Sequence, residues 1–434
     1  MLIEFKFSNY RSFRDEACLS MEATGLRAKK RSLISFKPAD LLPAAAIFGK
    51  NGGGKSNVIR AFWLGAQFIR NAQRTQHENS PVPIKPFLLN DHSADEPASF
   101  EYTYVLDGVK YIYGFSATRK NILREYLYYA PKGQRAMVFS RENQYFMFRE
   151  NSEKKRRELI SAAVAENQLY FSVACTMNEP ACAAAMRWFR EYLFFSRDYT
   201  DIPEQLLEYS EDPGMLKAIT SYAINADLGI EDIRFEVKNA ELSVEELSIA
   251  GMPEEIKNAV EQFMQALSAS PNVAEGSLKM GQVSATSFHA GVSRDGSHTR
   301  YPLPLEEESD GTRILMALAP AVERALELGG VLVVDELENG MHPLLAAFLV
   351  SKFQSPDTNR NHAQLIFTTH NIQLLNEELL RKDQIYFVDK DRRDGTSTLY
   401  SISEFSTPTA ENILKGYLAG KYGATPDITP EEVW

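Results

Sequence analysis

Residues Gly49-Lys50-Asn51-Gly52-Gly53-Gly54-Lys55-Ser56 match the pattern G-x-x-x-x-G-K-[ST] without a gap. The five residues before them, Ala44-Ala45-Ala46-Ile47-Phe48, form an apolar run of buried-strand character. A strand that delivers a glycine-rich turn into a helix aims successive backbone N–H groups inward. The helix then adds the positive end of its dipole. The pattern predicts nucleoside triphosphate binding, with Gly49, Asn51, Gly52, Gly53, Gly54 and Asn57 in the phosphate cradle. Lys55 is expected to reach the β- and γ-phosphates, and Ser56 to be a ligand of Mg2+.

A chain of 434 residues is long enough to bury one large core or two ordinary ones, and 44% hydrophobic with 24% charged residues is a globular make-up. No apolar run approaches a bilayer-spanning length, and the opening Met1 to Lys6 lacks a signal-peptide pattern. Cys18, Cys175 and Cys182 are too few for a disulfide framework and lack metal-ligand spacing, so the expected location is the cytoplasm. A formal net charge of −11 argues against a uniformly basic nucleic-acid coat. The basic run Lys154-Lys155-Arg156-Arg157 reads as a solvated helix face.

Alternation at the N-terminus (Ile3, Phe5 and Phe7 against Glu4, Lys6 and Ser8) predicts a half-buried strand. A helix is expected from about Ser56 to Ala72 and a proline-rich loop over 80–90. Phe100 to Leu106 and Tyr111 to Ala117 read as strands joined at Asp107-Gly108, and β character continues to Phe148. The period turns helical from about Glu153 to Ile219, a strand is expected over Asp227 to Val237, and a helix over 254–268. Strands return near Ser287 to Leu305, then a helix over Ser309 to Leu328. Val331 to Val334, Gln364 to Thr368, and a closing hairpin of Ile385 to Lys390 with Ser397 to Ile402 complete the β pattern, with a helix at Pro343 to Phe353. These boundaries divide the chain into 1–150, a mainly helical insertion at 151–285, and 286–434.

The second half of a nucleotide site is written near the C-terminus. Val331-Leu332-Val333-Val334-Asp335-Glu336 is a strand apolar on both faces that ends in two carboxylates. Asp335 is expected to hold Mg2+ through water, and Glu336 to polarise the water that attacks the γ-phosphate. Ser309-Asp310-Gly311 opens a helix 26 residues before Asp335, where a hydroxyl, a glycine amide and a helix N-terminus make a second anion site. His370 follows the strand ending at Thr369, within reach of a γ-phosphate. The catalytic candidates are therefore Glu336, His370 and Lys55.

The order of phosphate loop, Ser-x-Gly helix start and acidic strand end is that of ABC-type ATPases. Further resemblance lies in Phe7-Ser8-Asn9-Tyr10-Arg11-Ser12-Phe13, Glu308-Ser309-x-Gly311-Thr312, Asp335-Glu336-Leu337-Glu338 with His342-Pro343, Thr368-Thr369-His370-Asn371, and Tyr417 to Ala424. Together these residues make the chain similar to the stand-alone ABC-type ATPases of the AAA/RecF/OLD-like group, and within it to the RloA kind found in bacterial defence loci. The signature departs from the transporter form Leu-Ser-Gly-Gly-Gln at Asp310 and Thr312. The resemblance implies an α/β ABC-type P-loop ATPase head, a mixed sheet with flanking helices, carrying a helical insertion. It implies ATP and Mg2+ as cofactors, Arg11 or its neighbours near the adenine, and Asn90 in the place of the γ-phosphate-sensing glutamine.

The resemblance also implies a homodimer or higher oligomer in which Ser309 and Gly311 of one copy close on the nucleotide held at Lys55 of the other. The turn Leu337 to Pro343 is then a contact with the opposite subunit. The leading expectation is a switch or sensor ATPase in anti-phage defence with a separately encoded effector. Only 64 residues follow His370, too few for a Toprim nuclease domain. Glu166 with Asn167, and Asp198 with Asp201, read as scattered polar residues rather than nuclease sites. A RecF- or SMC-like DNA clamp is the alternative, which keeps nucleic acid open as a partner; no membrane partner is expected.

Overall fold

The computed structural model describes all residues except 27, 78–79, 132, 197–208, 227–228, 244–276, 406–411 and 426–434. The helix expected over 254–268 and the Asp198 and Asp201 pair lie outside the described residues. The chain divides into two units, Met1–Arg197 with Ala321–Trp434, and Asp198–Pro320.

In the first unit, β1 (Leu2–Ser8) and β2 (Ala17–Ser20) pair antiparallel, and β3 (Ala44–Phe48) delivers the glycine-rich turn to α1 (Lys55–Thr75). Next come β4 (Ala98–Leu106), β5 (Val109–Ala117), β6 (Ile122–Ala130), β7 (Ala136–Glu142) and β8 (Tyr145–Phe148). They complete a seven-stranded antiparallel sheet in the order β2-β1-β4-β5-β6-β7-β8. Asp107 and Gly108 both adopt positive φ, 49° and 75°, as a two-residue hairpin turn between right-twisted strands requires. The period-2 pattern sends Phe5, Phe7, Phe100, Tyr102 and Tyr113 to one face, where α1 packs. Tyr102 OH donates to the Phe62 carbonyl oxygen of that helix at 2.8 Å.

The helices α2 (Lys154–Ser161), α3 (Tyr170–Thr176) and α4 (Pro180–Glu191) follow, then β9 (Leu193–Ser196). Residues 154–196 belong to the first unit, whereas the sequence placed them in a separate insertion beginning at 151. The reason is packing. Tyr170, Phe171, Trp188 and Phe189 are all buried, and the Trp188 ring stacks on Tyr104 with centroids 4.5 Å apart. Truncating such a side chain to alanine costs about 3–5 kcal/mol. The basic run is also corrected in part. Arg157 is 3% exposed and donates to Glu179 Oε1 at 2.8 Å, whereas Lys155 and Arg156 face solvent.

In the second unit, the described residues form the helix α5 (Pro213–Ala226), three antiparallel strands, β10 (Ile230–Ser243), β11 (Ser277–Val292) and β12 (His298–Pro304), with β11 central, and the first half of the helix that begins at Asp310. What is described of the expected helical insertion thus includes a three-stranded sheet, whose pairing of residues 230–243 with 277–289 is nonlocal. The chain returns to the first unit within α6 (Asp310–Leu328).

The second sheet is completed by β13 (Val331–Val334), α7 (Pro343–Gln354), β14 (Gln364–Thr368), β15 (Ile385–Lys390) and β16 (Ser397–Ser401), followed by α8 (Ile413–Leu418). Its order is β16-β15-β3-β14-β13-β9, parallel throughout except for the β15–β16 hairpin. The fold is therefore α/β with a mixed sheet and flanking helices. Val331 to Val334 are all fully buried, as expected of a central strand in a parallel array covered on both faces. This order places the C-terminal ends of β3, β14 and β13 side by side. Among the described residues no helix is long and apolar enough to cross a membrane.

Candidate functional site

The glycine-rich turn follows β3, and backbone geometry explains its composition. Gly49, Gly52 and Gly54 have φ of 151°, 72° and 115°, a region that residues with a Cβ rarely adopt. At Gly54 a Cβ would also stand 2.6 Å from Ser397 Oγ and 2.9 Å from Ser12 Oγ. The turn is held from outside. Ser397 Oγ donates to the Gly53 carbonyl oxygen at 2.7 Å, and Asn57 Nδ2 donates to Ser12 Oγ at 2.8 Å. Ser397 N–H in turn bonds the Ser12 carbonyl oxygen at 2.7 Å.

The turn Asn9 to Phe13 is thus a buttress for the loop. Asn9 fastens it below, donating to the carbonyl oxygens of Ser93 and Glu96 and accepting from Phe87 N–H. Arg11 sits in this turn with φ of 52°, and its Nε donates to Tyr10 OH at 3.2 Å. The guanidinium does not line the phosphate cavity.

Lys55 begins α1 and is only 4% exposed. Its ammonium donates to the carbonyl oxygens of Gly49 (2.8 Å) and Lys50 (3.2 Å) and to His370 Nδ1 (3.2 Å). Burial lowers its pKa from 10.5 to about 8, against the opposing pull of Glu336, Glu338 and Asp335.

The acidic half is built at the ends of β13 and β14. Thr368 joins them, its hydroxyl donating to Asp335 Oδ1 at 2.7 Å and accepting from Glu336 N–H at 2.7 Å. Glu336 has φ of 54°, a left-handed conformation that costs an ordinary residue about 1–2 kcal/mol. This turn of the chain directs its carboxylate toward His370, whose Nε2 lies 3.5 Å from Oε1. Glu338 Oε1 accepts from the backbone N–H groups of His370 and Asn371, which fixes the loop after β14.

Lys50, Asn51, Gly52, Gly54, Lys55, Ser56, Asn57, Arg60, Glu336 and His370 line one cavity of about 400 Å³. The fold therefore gathers the phosphate-loop candidates with Glu336 and His370. Lys50 and Arg60 were not singled out in the sequence. The signal for Arg60 is its place four residues after Ser56, on the same face of α1. Thr368, Glu338, Ser12 and Ser397 were missed as supporting residues because their partners are distant in the chain.

Asn90 is used locally. Its Oδ1 accepts from Ser93 and His92 N–H and its Nδ2 donates to Ser93 Oγ, and it is not a lining residue of the cavity. A larger cavity of about 590 Å³ is lined by residues including Arg119, Lys120, Gln144 and Asn167 and holds none of the candidate catalytic groups.

Among the described residues no group of three or more His, Cys, Asp or Glu is placed to hold a metal ion. A magnesium ion that binds with a nucleotide needs fewer protein ligands, since phosphate oxygens and water complete its octahedron. The Ser56 hydroxyl and the half-buried Asp335 carboxylate, already oriented by Thr368, fit that donor set.

Ser309 and Gly311 belong to the second unit. Ser309 caps α6, with its Oγ accepting from Thr312 N–H at 3.2 Å and its carbonyl oxygen from Arg313 N–H at 3.0 Å. The residue before it, Glu308, is tied to β11. Its Oε1 lies 2.6 Å from His289 Nε2 and accepts from Ser287 Oγ.

Among solved structures, the chain is similar to an SMC head bound to the C-winged helix domain of ScpA. The identity is 12% and the TM-score 0.41, over 95% of this chain and 99% of that one. It is also similar to cbiO1 of Clostridium perfringens, part of the ABC transporter complex cbiONQ, at 11% identity and a TM-score of 0.27 over 93% and 90% of the two chains. No curated protein gives a significant match. The family model described as "AAA domain, putative AbiEii toxin, Type IV TA system" matches residues 44–376, from β3 through the loop after β14. The chain belongs to this AAA-domain family.

Proposed function

We propose that this protein is an ABC-type switch ATPase that binds and hydrolyses ATP. In this reading two copies close on nucleotide, and the dimer serves as the sensor or regulatory subunit of a bacterial anti-phage defence system with a separate effector. The observation that carries the ATPase reading is the single cavity that joins Lys55 and Ser56 to Glu336 and His370. The defence reading is supported by the resemblance to RloA-like ATPases and by a family description that names a toxin and a type IV TA system.

Phosphate oxygens replace the Gly49 and Lys50 carbonyl oxygens around the Lys55 ammonium, and the loop amides and α1 dipole complete the cradle. Ser56 and Asp335 would hold a Mg2+ ion, which would neutralise charge on the β- and γ-phosphates. Glu336 takes a proton from the attacking water as the oxygen–phosphorus bond forms. The bond to the bridging oxygen breaks, leaving ADP and phosphate. His370 holds the Glu336 carboxylate on one side and the Lys55 ammonium on the other. Ser309 and Gly311 of the partner subunit cap the γ-phosphate, so hydrolysis removes the bridge between copies.

The test is sedimentation of Glu336→Gln with and without ATP and Mg2+. The expected result is a doubled mass with ATP that Ser309→Arg abolishes while nucleotide affinity persists. A Glu336→Gln protein that binds ATP yet stays at one mass overturns the switch.

A further inference from the structure

We propose that the solvent face of the antiparallel sheet, centred on Tyr126 and Tyr128 of β6, is a binding platform for single-stranded nucleic acid. The period-2 pattern sends one side of these strands into the core, so the other side is expected to be small or polar. Along Ser99, Glu101, Gly114 and Ser116 of β4 and β5 it is, whereas Ile112 of β5 and the buried Val105 of β4 are apolar. On β6 the same face carries Arg124, Tyr126 and Tyr128, opposite Ser116, Gly114 and Ile112 respectively.

Gly114 shows how the platform is made flat. A Cβ there would stand 2.5 Å from Tyr126 Cζ, so the tyrosine ring lies across the neighbouring strand where only glycine leaves room. Glycine is disfavoured inside a strand, and close approach of another group is a common reason for it. The Tyr126 and Tyr128 ring centroids are 5.7 Å apart. Arg124 Cζ lies 5.3 Å from the Tyr126 centroid, and Arg135 Cζ lies 3.7 Å over Tyr128. The row reads cation, ring, ring, cation.

Charge and exposure extend the surface. Lys110, Tyr128, Tyr129 and Arg135 line a depression of about 150 Å³, and Arg135 with Arg149 lines a neighbouring one of about 430 Å³. On β8, Tyr145 and Met147 are 85% and 58% exposed and continue the rows of Arg124 and Tyr126 through Glu142 and Ser140. Of the acids on this face, Glu4 pairs with Lys6, Glu101 accepts from Tyr126 OH and Glu142 stands opposite Arg124. Lys110, Arg135 and Arg149 thus make a basic patch on a chain of net charge −11. An acidic peptide would use the cations and leave the rings idle. A duplex keeps its bases inside. A single strand uses both, with bases stacked on rings and guanidinium planes and phosphates against the cations.

The experiment is fluorescence anisotropy of the full chain with labelled oligothymidylate, oligouridylate and a DNA duplex, without nucleotide, so the outcome stands apart from the ATP switch. The expected result is single-strand binding that weakens with salt. Tyr128→Leu is expected to raise Kd roughly tenfold while Tyr128→Phe leaves it, and Arg135→Ala to flatten the salt dependence. Unchanged circular dichroism melting of each variant excludes unfolding as the cause. No binding at low salt overturns the proposal. So do wild-type affinity in Tyr128→Leu, tighter binding of the duplex, or equal competition by polyglutamate.

Discussion

Lys55 Nζ stands 3.2 Å from His370 Nδ1, a contact between residues 315 positions apart in the chain. An ammonium has no lone pair, so it donates and Nδ1 accepts. The hydrogen-bond network therefore assigns the imidazole hydrogen to Nε2, which faces Glu336 Oε1 at 3.5 Å. His370 links Lys55 to the candidate general base.

Replacing His370 with alanine is expected to separate these roles. Nucleotide affinity, proposed to rest on the loop amides and Lys55, should change by only a few-fold. Turnover should fall about 100-fold, because Glu336 loses the group that orients it. Phosphate release at saturating ATP, compared with affinity from calorimetry, measures the split. A kcat that holds while Kd rises would place His370 in binding alone.

Lys55 is expected to make nucleotide binding depend on pH in a definite direction. Burial has lowered its pKa from 10.5 to about 8, so between these values the unfolded chain binds more protons than the folded one. The penalty of burying this charge is complete below pH 8, is relieved as pH rises from about 8 to 10.5, and is absent above that. A bound triphosphate favours the ammonium form and raises the pKa again. Binding near pH 8 should take up about half a proton, and affinity should decline as pH rises above 8. Calorimetry at pH 8 in buffers of different ionisation enthalpy reads the uptake directly. A binding enthalpy independent of buffer contradicts it.

Thr368 is expected to be more sensitive than its ordinary place at a strand end suggests. Its hydroxyl serves Asp335 and Glu336 together, and Thr368→Val leaves both without that partner. The loss should be about 1–3 kcal/mol of stability with a weakened response to Mg2+, and Thr368→Ser should restore both. Denaturant unfolding and a Mg2+ titration of turnover check this. A valine variant with unaltered Mg2+ dependence removes Thr368 from the site.

The parts of the fold that were readable in the sequence are those with a strong local signal. Ala44 to Phe48, Val331 to Val334 and Gln364 to Thr368 are continuous apolar runs ended by polar chemistry, and all three are strands of one parallel array. Asp107-Gly108 specified its own hairpin. Leu193 to Ser196 was read as part of a helical stretch because its strand character comes from pairing with Val331 to Val334, well over 100 residues away. Phe171 and Trp188 sit on helices whose charged outer faces suggested a projecting insertion, and only the tyrosines of β4 and β5 show where those rings are buried. At the site, residue types that carry chemistry were legible. Their supports, Ser12 and Ser397 behind the loop and Thr368 between the carboxylates, are common residues whose meaning lies in who touches them.

ATP turnover and ATP binding measured on the same preparation of Glu336→Gln test most directly the proposed role of Glu336 in hydrolysis at the nucleotide held by Lys55. The expected result is wild-type nucleotide affinity with phosphate release lowered at least about 100-fold. Turnover that survives the substitution would contradict it.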